Sequence, residues 1–480
     1  MKLTRRHGKR VAALLLGAAM AVGLTACDGA KIPSATDPGS TDPTGGEQGT
    51  TGLIQEVLLE VPGTQTGNLT AQGKYYTDFS TIDEARELGE QLNIEVAGEG
   101  FVLLKNQNDA LPLSDTEQDI TLFGYRSSRL QTVGGGSGAG DGFGHEWTIQ
   151  ESMEEAGLNV NEKVLDYYNS VSNPDALELD PDTYVASIDG TFDFYGDAVL
   201  WTISRTGSEG RDLLTAEVPG HADPTEHYLE LDDNERKVYE YLKGLKQEGR
   251  IGKFIVIVNS ANAFELGDMQ DDSDVDAIIW VGHPGNAGIA ALGKILTGEV
   301  NPSGHLVDIF ARDFTQDPTW SNFGSNVQNG VDNYVYYDDN GTLTDSGYRS
   351  VEYREGIYIG YRWYETVAAD MEAQAEGSGE SWYQQAVVYP FGYGLSYTTF
   401  DWELTGVAET AVIDAPNRTI TMQVKVTNTG DVAGKDVVQV YASQPYYEGG
   451  IEKAARVLVG FAKTDLLQPG ESQVVQVQFA

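Results

Sequence analysis

The sequence predicts an α/β protein: a mainly parallel sheet sandwiched by helices, followed by an incomplete all-β sandwich. Three observations predict it. Short apolar runs without polar alternation read as strands buried on both faces: "ITLFG" from Ile120, "AVLWTIS" from Ala198, "FIVIVNS" from Phe254, "AIIWVG" from Ala277 and "LVDIF" from Leu306. Helical stretches separate several of them, notably "DNERKVYEYLKGLKQEG" from Asp233 and "NAGIAALGKILTG" from Asn286, which is the alternation of a parallel sheet covered on both sides. From Asp401 the texture changes. "TITMQVKVTNTGDVAGKDVVQVYAS" and "LLQPGESQVVQVQF" alternate apolar and polar residues around Gly-containing turns, as antiparallel strands do. A sandwich of this type needs about seven strands, and about five are legible here.

In chain order, residues 1–27 read as a secretory signal with a basic start, an apolar run from Val11 to about Val22, and small residues before Cys27. The ending "LTAC" resembles the lipobox of bacterial lipoproteins, which implies cleavage before Cys27, lipid on its sulfur, and a protein held at the outer face of the bacterial cell membrane. The competing reading is an uncleaved anchor, against which the run is shorter than the roughly 20 residues needed to span. Residues 28–52 are rich in Gly, Pro, Ser and Thr, a flexible linker whose ordering entropy nothing offsets. Residues 53–400 are assigned to the α/β domain and 401–480 to the sandwich. "TIDEARELGEQLNIEVAGEG" begins the helical texture: Thr81 and Glu84 form a capping-box pattern, and Ala85, Leu88, Leu92 and Val96 keep one apolar helical face.

A length of 480 residues allows more than one core. A net charge of −42, from 73 acidic and 31 basic residues, repels nucleic acid and anionic lipid and favours neutral partners. Cys27 is the only cysteine, so no internal disulfide or cysteine-metal cluster is expected. Six histidines are scattered without an H-E-x-x-H pattern, and turn residues separate the two in "HADPTEH" from His221. No metal and no cofactor are expected.

Ligands of an open parallel sheet bind beyond the carboxyl ends of its strands, so three loops belong together: "VGGGSGAGDG" from Val133, "RTGSEGRD" from Arg205 and "HPGNAG" from His283. The glycine loop begins about nine residues after "ITLFG", out of register for a dinucleotide fingerprint. Ala139 breaks a G-x-S-x-G elbow around Ser137. It reads either as a tight surface loop or as backbone that must come close to a ligand. Glu209 stands in a loop with little side-chain bulk, where a carboxyl swung against a ligand and desolvated gains a raised pKa and suits a proton donor. Most loop glutamates are merely solvated, and residue type alone leaves that reading open.

Together these stretches resemble glycoside hydrolase family 3. "EGFVLLKNQNDALPL" from Glu99 is similar to the entry of that family's second, α/β-sandwich domain; "NPSGHLVDIF", "EGIYIGYRWYET" and "PFGYGLSYTTF" resemble its closing motifs. "VTNTGDVAGKDVVQVY" and "LQPGES" are similar to its fibronectin type III-like domain. The resemblance implies that Glu209, in "GSEGRD", is the general acid/base of a retaining β-glucosidase-type exo-glycosidase, that Asp212 matches the aspartate of the pattern, and that Ser137 lies near the sugar. Leu213 stands where the family usually has arginine, and Gly207 and Ser208 invert the usual order.

The attacking aspartate of the family lies on a (β/α)8 barrel, in an S-D-W-like motif that nothing here resembles. No stretch supplies the roughly 200 residues a barrel requires. "DFTQDPTWSNFG" from Asp313 resembles members whose α/β domain precedes the barrel, so the expectation is the front part of a longer, reversed-order enzyme, inactive alone. Its partners would be a β-linked glycoside, a membrane through the lipid anchor, and the barrel, in the same chain or a separate one. The alternative is a non-catalytic carbohydrate-binding or partner-binding surface lipoprotein.

Overall fold

The computed structural model describes residues 79–139, 144–174, 176–207, 209, 213–320, 332–350, 353–407, 420–447 and 449–479. Cys27, the expected signal and linker, and Asp212 lie outside the described residues. Among the described residues no helix is long and apolar enough to cross a membrane.

Helix α1 (Ile82–Gly100) leads into strand β1 (Val102–Asn106) and then β2 (Asp119–Phe123). Next come α2 (Ile149–Glu155), β3 (Asn159–Val160), α3 (Glu162–Ser170), α4 (Val185–Ile188) and β4 (Ala198–Arg205). The pattern continues through α5 (Asp233–Gln247), β5 (Lys253–Ser260), α6 (Gly267–Asp271), β6 (Ala277–Trp280), α7 (Gly285–Gly288) and α8 (Ala290–Leu296). These six strands form one sheet in the order β1-β6-β5-β4-β2-β3, parallel except for the antiparallel edge strand β1.

The predicted strands β2, β4, β5 and β6 are where the apolar runs place them, and the absence of alternation has a direct cause. Val199, Trp201 and Ile203 of β4, with Val256 and Val258 of β5, face one buried cluster, while Ala198, Leu200, Ile255 and Ile257 face a second on the opposite side. A period of two serves two cores at once. Helix α5 packs Val238, Leu242 and Leu245 on the first core, and a capping box starts it: the Asp232 carboxylate accepts from Glu235 N–H and Glu235 accepts from Asp232 N–H.

Two expectations need correction. Of "LVDIF" only its last residue enters a strand, β7 (Phe310–Ala311), which pairs with the later β10 (Val387–Tyr389). Upstream, the backbone of Leu306 bonds instead to the Gly392–Tyr393 turn, outside the main sheet. The apolar face read on α1 turns outward: Leu88, Leu92 and Val96 are exposed. The helix docks through its other side, with Ala97 and Gly98 buried and Asn93 bonding to Pro284, Ala287 and Gly288. Close contact decides this, since a Cβ on Gly288 would come within 2.8 Å of the Ala97 Cβ.

A hairpin of β8 (Asp332–Tyr337) and β9 (Leu343–Ser350) and a helical pair, α9 (Tyr361–Gln374) and α10 (Ser378–Ala386), precede β10. Among its described residues the carboxyl-terminal unit has five strands: β11 (Phe400–Val407), β12 (Ile420–Asn428), β13 (Val437–Ala442), β14 (Val457–Lys463) and β15 (Ser472–Phe479). They form two antiparallel sheets, β11-β12-β15 and β13-β14, around Val424, Val426, Val438, Leu467 and Val477. The sandwich is incomplete, as expected, and Trp402 and Leu404 of β11 stay partly exposed. Glu99, at the end of α1, pairs with Lys435 and Lys463 of this unit.

Behind the carboxyl edge of the main sheet lies a buried carboxylate cluster. Glu178 accepts from Tyr125 N–H and Leu179 N–H, and burial pushes it up to about 8, with Glu235 and Asp232 adding repulsion. Asp232 is raised to about 7 by the same causes, burial first. The folded state therefore holds protons that the unfolded chain releases near pH 4 to 5. This contribution is fully present below that range and is lost as pH rises through 7 to 8. Glu178→Gln is expected to flatten the decline, with unfolding midpoints near wild type at pH 5 and an advantage of ~2–4 kcal/mol at pH 9 in denaturant titrations.

Candidate functional site

The order of the parallel strands, β3-β2-β4-β5-β6, means that the chain steps outward from β2 to β3, then crosses back to β4 and proceeds the other way. The connections leaving β2 and β4 therefore diverge at the carboxyl edge, the place where open α/β sheets bind their ligands. These are the connections that carry Ser137 and Glu209.

Leaving β2, the chain turns at Gly124 with φ 92°, where a Cβ would lie 2.8 Å from the Trp201 ring and 2.9 Å from the Thr202 carbonyl oxygen. Glycine alone passes so close over β4. The loop runs on to a single tight turn at Gly136–Gly138. Gly136 has φ 60°, and a Cβ there would come 2.6 Å from Glu209 Cβ and 2.9 Å from its Cδ. The close approach seen here is to another residue of the chain, Glu209.

Glu209 Oε2 accepts from the Ser137 hydroxyl at 2.6 Å and from Ser137 N–H at 2.7 Å. These two bonds, the hydroxyl's first and the amide's second, hold the carboxyl below the ordinary glutamate value, because the group itself is fully exposed. As it stands Glu209 is an ionised acceptor, prepared to take a proton rather than to give one. A donor needs desolvation, and the described residues do not supply it here. Leu213, in the place of the usual arginine, is buried against the loop, where a Cβ on Gly207 would lie 3.1 Å from its methyl.

What anchors the Glu209 loop is Arg205, the last residue of β4. It is completely buried, with its guanidinium on Glu235 at 2.8 and 2.7 Å. It also donates to the carbonyls of Tyr228 (2.6 Å), Glu230 (2.5 Å) and Ser204 (2.9 Å), and lies 4.5 Å over the Phe264 ring. Burial works against its charge, and Glu235 outweighs it, so its pKa is raised. The His283 ring bonds to the Arg205 carbonyl, and burial keeps that imidazole neutral.

The other cluster with ligand chemistry is His227, Glu230 and Glu265, whose ligand atoms lie within 4.8 Å of one another. His227 Nδ1 accepts from Leu229 N–H, so the proton of the neutral ring sits on Nε2, 3.3 Å from Glu265 and 3.7 Å from Glu230. A metal would need the lone pair at that nitrogen. The donor set does not fit one, and the cluster ties the loops after β4 and β5 together instead.

Residues 101–361 match the model of the glycosyl hydrolase family 3 C-terminal domain. The chain belongs to glycosyl hydrolase family 3. Residues 436–480 match the fibronectin type III-like domain, so the family's α/β domain and its β-sandwich follow one another here. The family 3 chain is 30% identical to beta-glucosidase A of Butyrivibrio fibrisolvens over 422 residues, covering 81% of this chain and 45% of that protein. It is 30% identical to a beta-glucosidase of Ruminococcus albus over 403 residues, 80% of this chain and 35% of the relative. Among solved structures it is similar to beta-glucosidase 3B from Thermotoga neapolitana in complex with glucose, with 29% identity, a TM-score of 0.64, and coverage of 82% and 49%. A beta-glucosidase from Paenibacillus barengoltzii gives 29% identity, a TM-score of 0.62, and coverage of 81% and 38%. The chain thus spans between a third and a half of the length of these relatives.

The structure brings Ser137 and Glu209 together. Arg205 was missed as an anchor, although an arginine closing an apolar strand run was a usable signal. Ser137→Ala is expected to raise the Glu209 pKa toward the ordinary glutamate value in a carboxyl-carbon NMR titration, with the fold unchanged.

Proposed function

We propose that Glu209 is the general acid/base of a retaining β-glucosidase-type hydrolase acting on terminal β-linked sugars, with its nucleophile on a (β/α)8 barrel outside these 480 residues. One observation carries the reading: the exposed Glu209 carboxylate, held by Ser137, stands at the switch point of the sheet, where such folds bind ligands. The names of the relatives support the substrate class.

In a retaining mechanism the second carboxylate, about 5–5.5 Å away, attacks the anomeric carbon while Glu209 gives its proton to the departing glycosidic oxygen. Glu209 then takes a proton from the water that displaces the enzyme from the sugar. In this chain it is poised for the second task. The first requires that a covering surface exclude water and that Ser137 release the carboxylate. Ser137 is then free to bond a sugar hydroxyl, and Asp212 is proposed, on the family resemblance alone, as a further sugar-binding residue.

The isolated chain is expected not to hydrolyse an aryl β-glucoside, because no carboxylate opens the covalent route. Turnover that Glu209→Gln abolishes would refute this. In the enzyme completed with a barrel, Glu209→Gln is expected to lower kcat about 10²–10⁴-fold on substrates with poor leaving groups. The ionised, exposed state of Glu209 favours a second reading for the chain by itself, a sugar-binding surface without catalysis; saturable glucose binding by the chain, with a completed enzyme no more active than Glu209→Gln, would select it.

Anchoring through Cys27 at the outer membrane face is proposed on the basic, apolar and small-residue order of residues 1–27. Labelled palmitate is expected to enter the protein expressed in a bacterium and to be lost in Cys27→Ser.

A further inference from the structure

We propose that Asn259 is a positioning residue for this site: its side-chain amide fixes the loop that carries Ser137 at the distance from which Ser137 holds Glu209. The proposal builds on the reading of Glu209 above, but it stands on contacts that involve neither Glu209 nor Ser137.

Asn259 is the next-to-last residue of β5 and is fully buried. Its Oδ1 accepts from Gln131 N–H at 2.7 Å and from the Ser204 hydroxyl at 3.1 Å. Its Nδ2 donates to the Gln131 carbonyl at 2.9 Å and to the Gly282 carbonyl at 2.6 Å. Two lone pairs and two N–H groups are the whole capacity of a carboxamide, and all four are used. The N–H and C=O of Gln131 are met together, as a neighbouring strand would meet them, although β2 has already ended at Phe123. One side chain thus extends the sheet beyond its last ladder bond and joins the exits of β2, β4 and β6.

An amide in an otherwise apolar strand is costly unless satisfied, and here its satisfaction fixes where the glycine loop begins. A second bridge runs from the same point. Thr206 Oγ donates to Gln131 Oε1 at 3.3 Å, and Gln131 Nε2 donates to the Val133 carbonyl at 2.5 Å. Thr206 starts the loop of Glu209 and Val133 that of Ser137, so a shift of Gln131 moves both ends of the Ser137–Glu209 contact. Hydrogen bonds weaken steeply with distance and angle.

The test uses the 480-residue chain and NMR. In the wild type the Ser137 amide proton is expected to shift with the ionisation of Glu209. The Thr148 amide, which donates to Glu151 in the capping box of α2, is the internal reference. In Asn259→Ala the pH-dependent excursion of the Ser137 amide is expected to shrink at least twofold and the Glu209 inflection to rise toward that of Ser137→Ala, while Thr148 keeps its excursion. An unchanged Ser137 excursion, or an equal loss at Thr148, overturns the proposal. If Asn259→Ala does not fold, Thr206→Val removes only the outer bridge, and the same reduction confined to Ser137 is expected; no reduction there overturns it. The readout is geometric, so failure of glycosidase activity in a completed enzyme would sink the catalytic reading and leave this result standing.

Discussion

The buried pair of Arg205 and Glu235 is the constraint on which the carboxyl edge of the sheet depends. Both side chains are 1% exposed, and at such a place a charge persists only when paired and fully hydrogen-bonded. Glu235 is at once a helix-capping residue and the counter-ion of a strand end, so one carboxylate locks the start of α5 to the end of β4. Two further guanidinium bonds take up the Tyr228 and Glu230 carbonyls of the long connection between them, which would otherwise lack partners in the interior. Loss of either partner would leave a bare charge, at a cost of about 3–5 kcal/mol.

On the reading proposed for Glu209, the work at that fixed edge is divided. The α/β unit supplies a rigid frame, a carboxylate and a hydrogen-bond donor for it, and leaves the outer side of that carboxylate to water. If Glu209 is the acid proposed above, its acid strength is conferred from outside, by whatever covers these loops.

Much of the fold was legible because strands buried on both faces leave uninterrupted apolar runs, and β2, β4, β5 and β6 do. Glu209 and Ser137 were legible through family resemblance and the loop positions, but their contact was not, since 72 positions separate them. Helix α1 shows the limit of periodicity: Leu88, Leu92 and Val96 make the better stripe, yet packing follows Ala97 and Gly98, where backbones approach most closely. "LVDIF" failed as a full strand because composition says nothing of whether an edge is available to pair with. Asn259 and Gln131 carry no motif, for their meaning lies entirely in which loops lie beside them.

The close approach at Gly136 bears on how such a site can be acquired. Any side chain at that position would occupy the volume of the Glu209 carboxyl, and the positive φ already disfavours one. The dependence runs one way: a side chain at 136 would exclude the Glu209 carboxyl from this place, whereas loss of the acid leaves the glycine turn unobstructed.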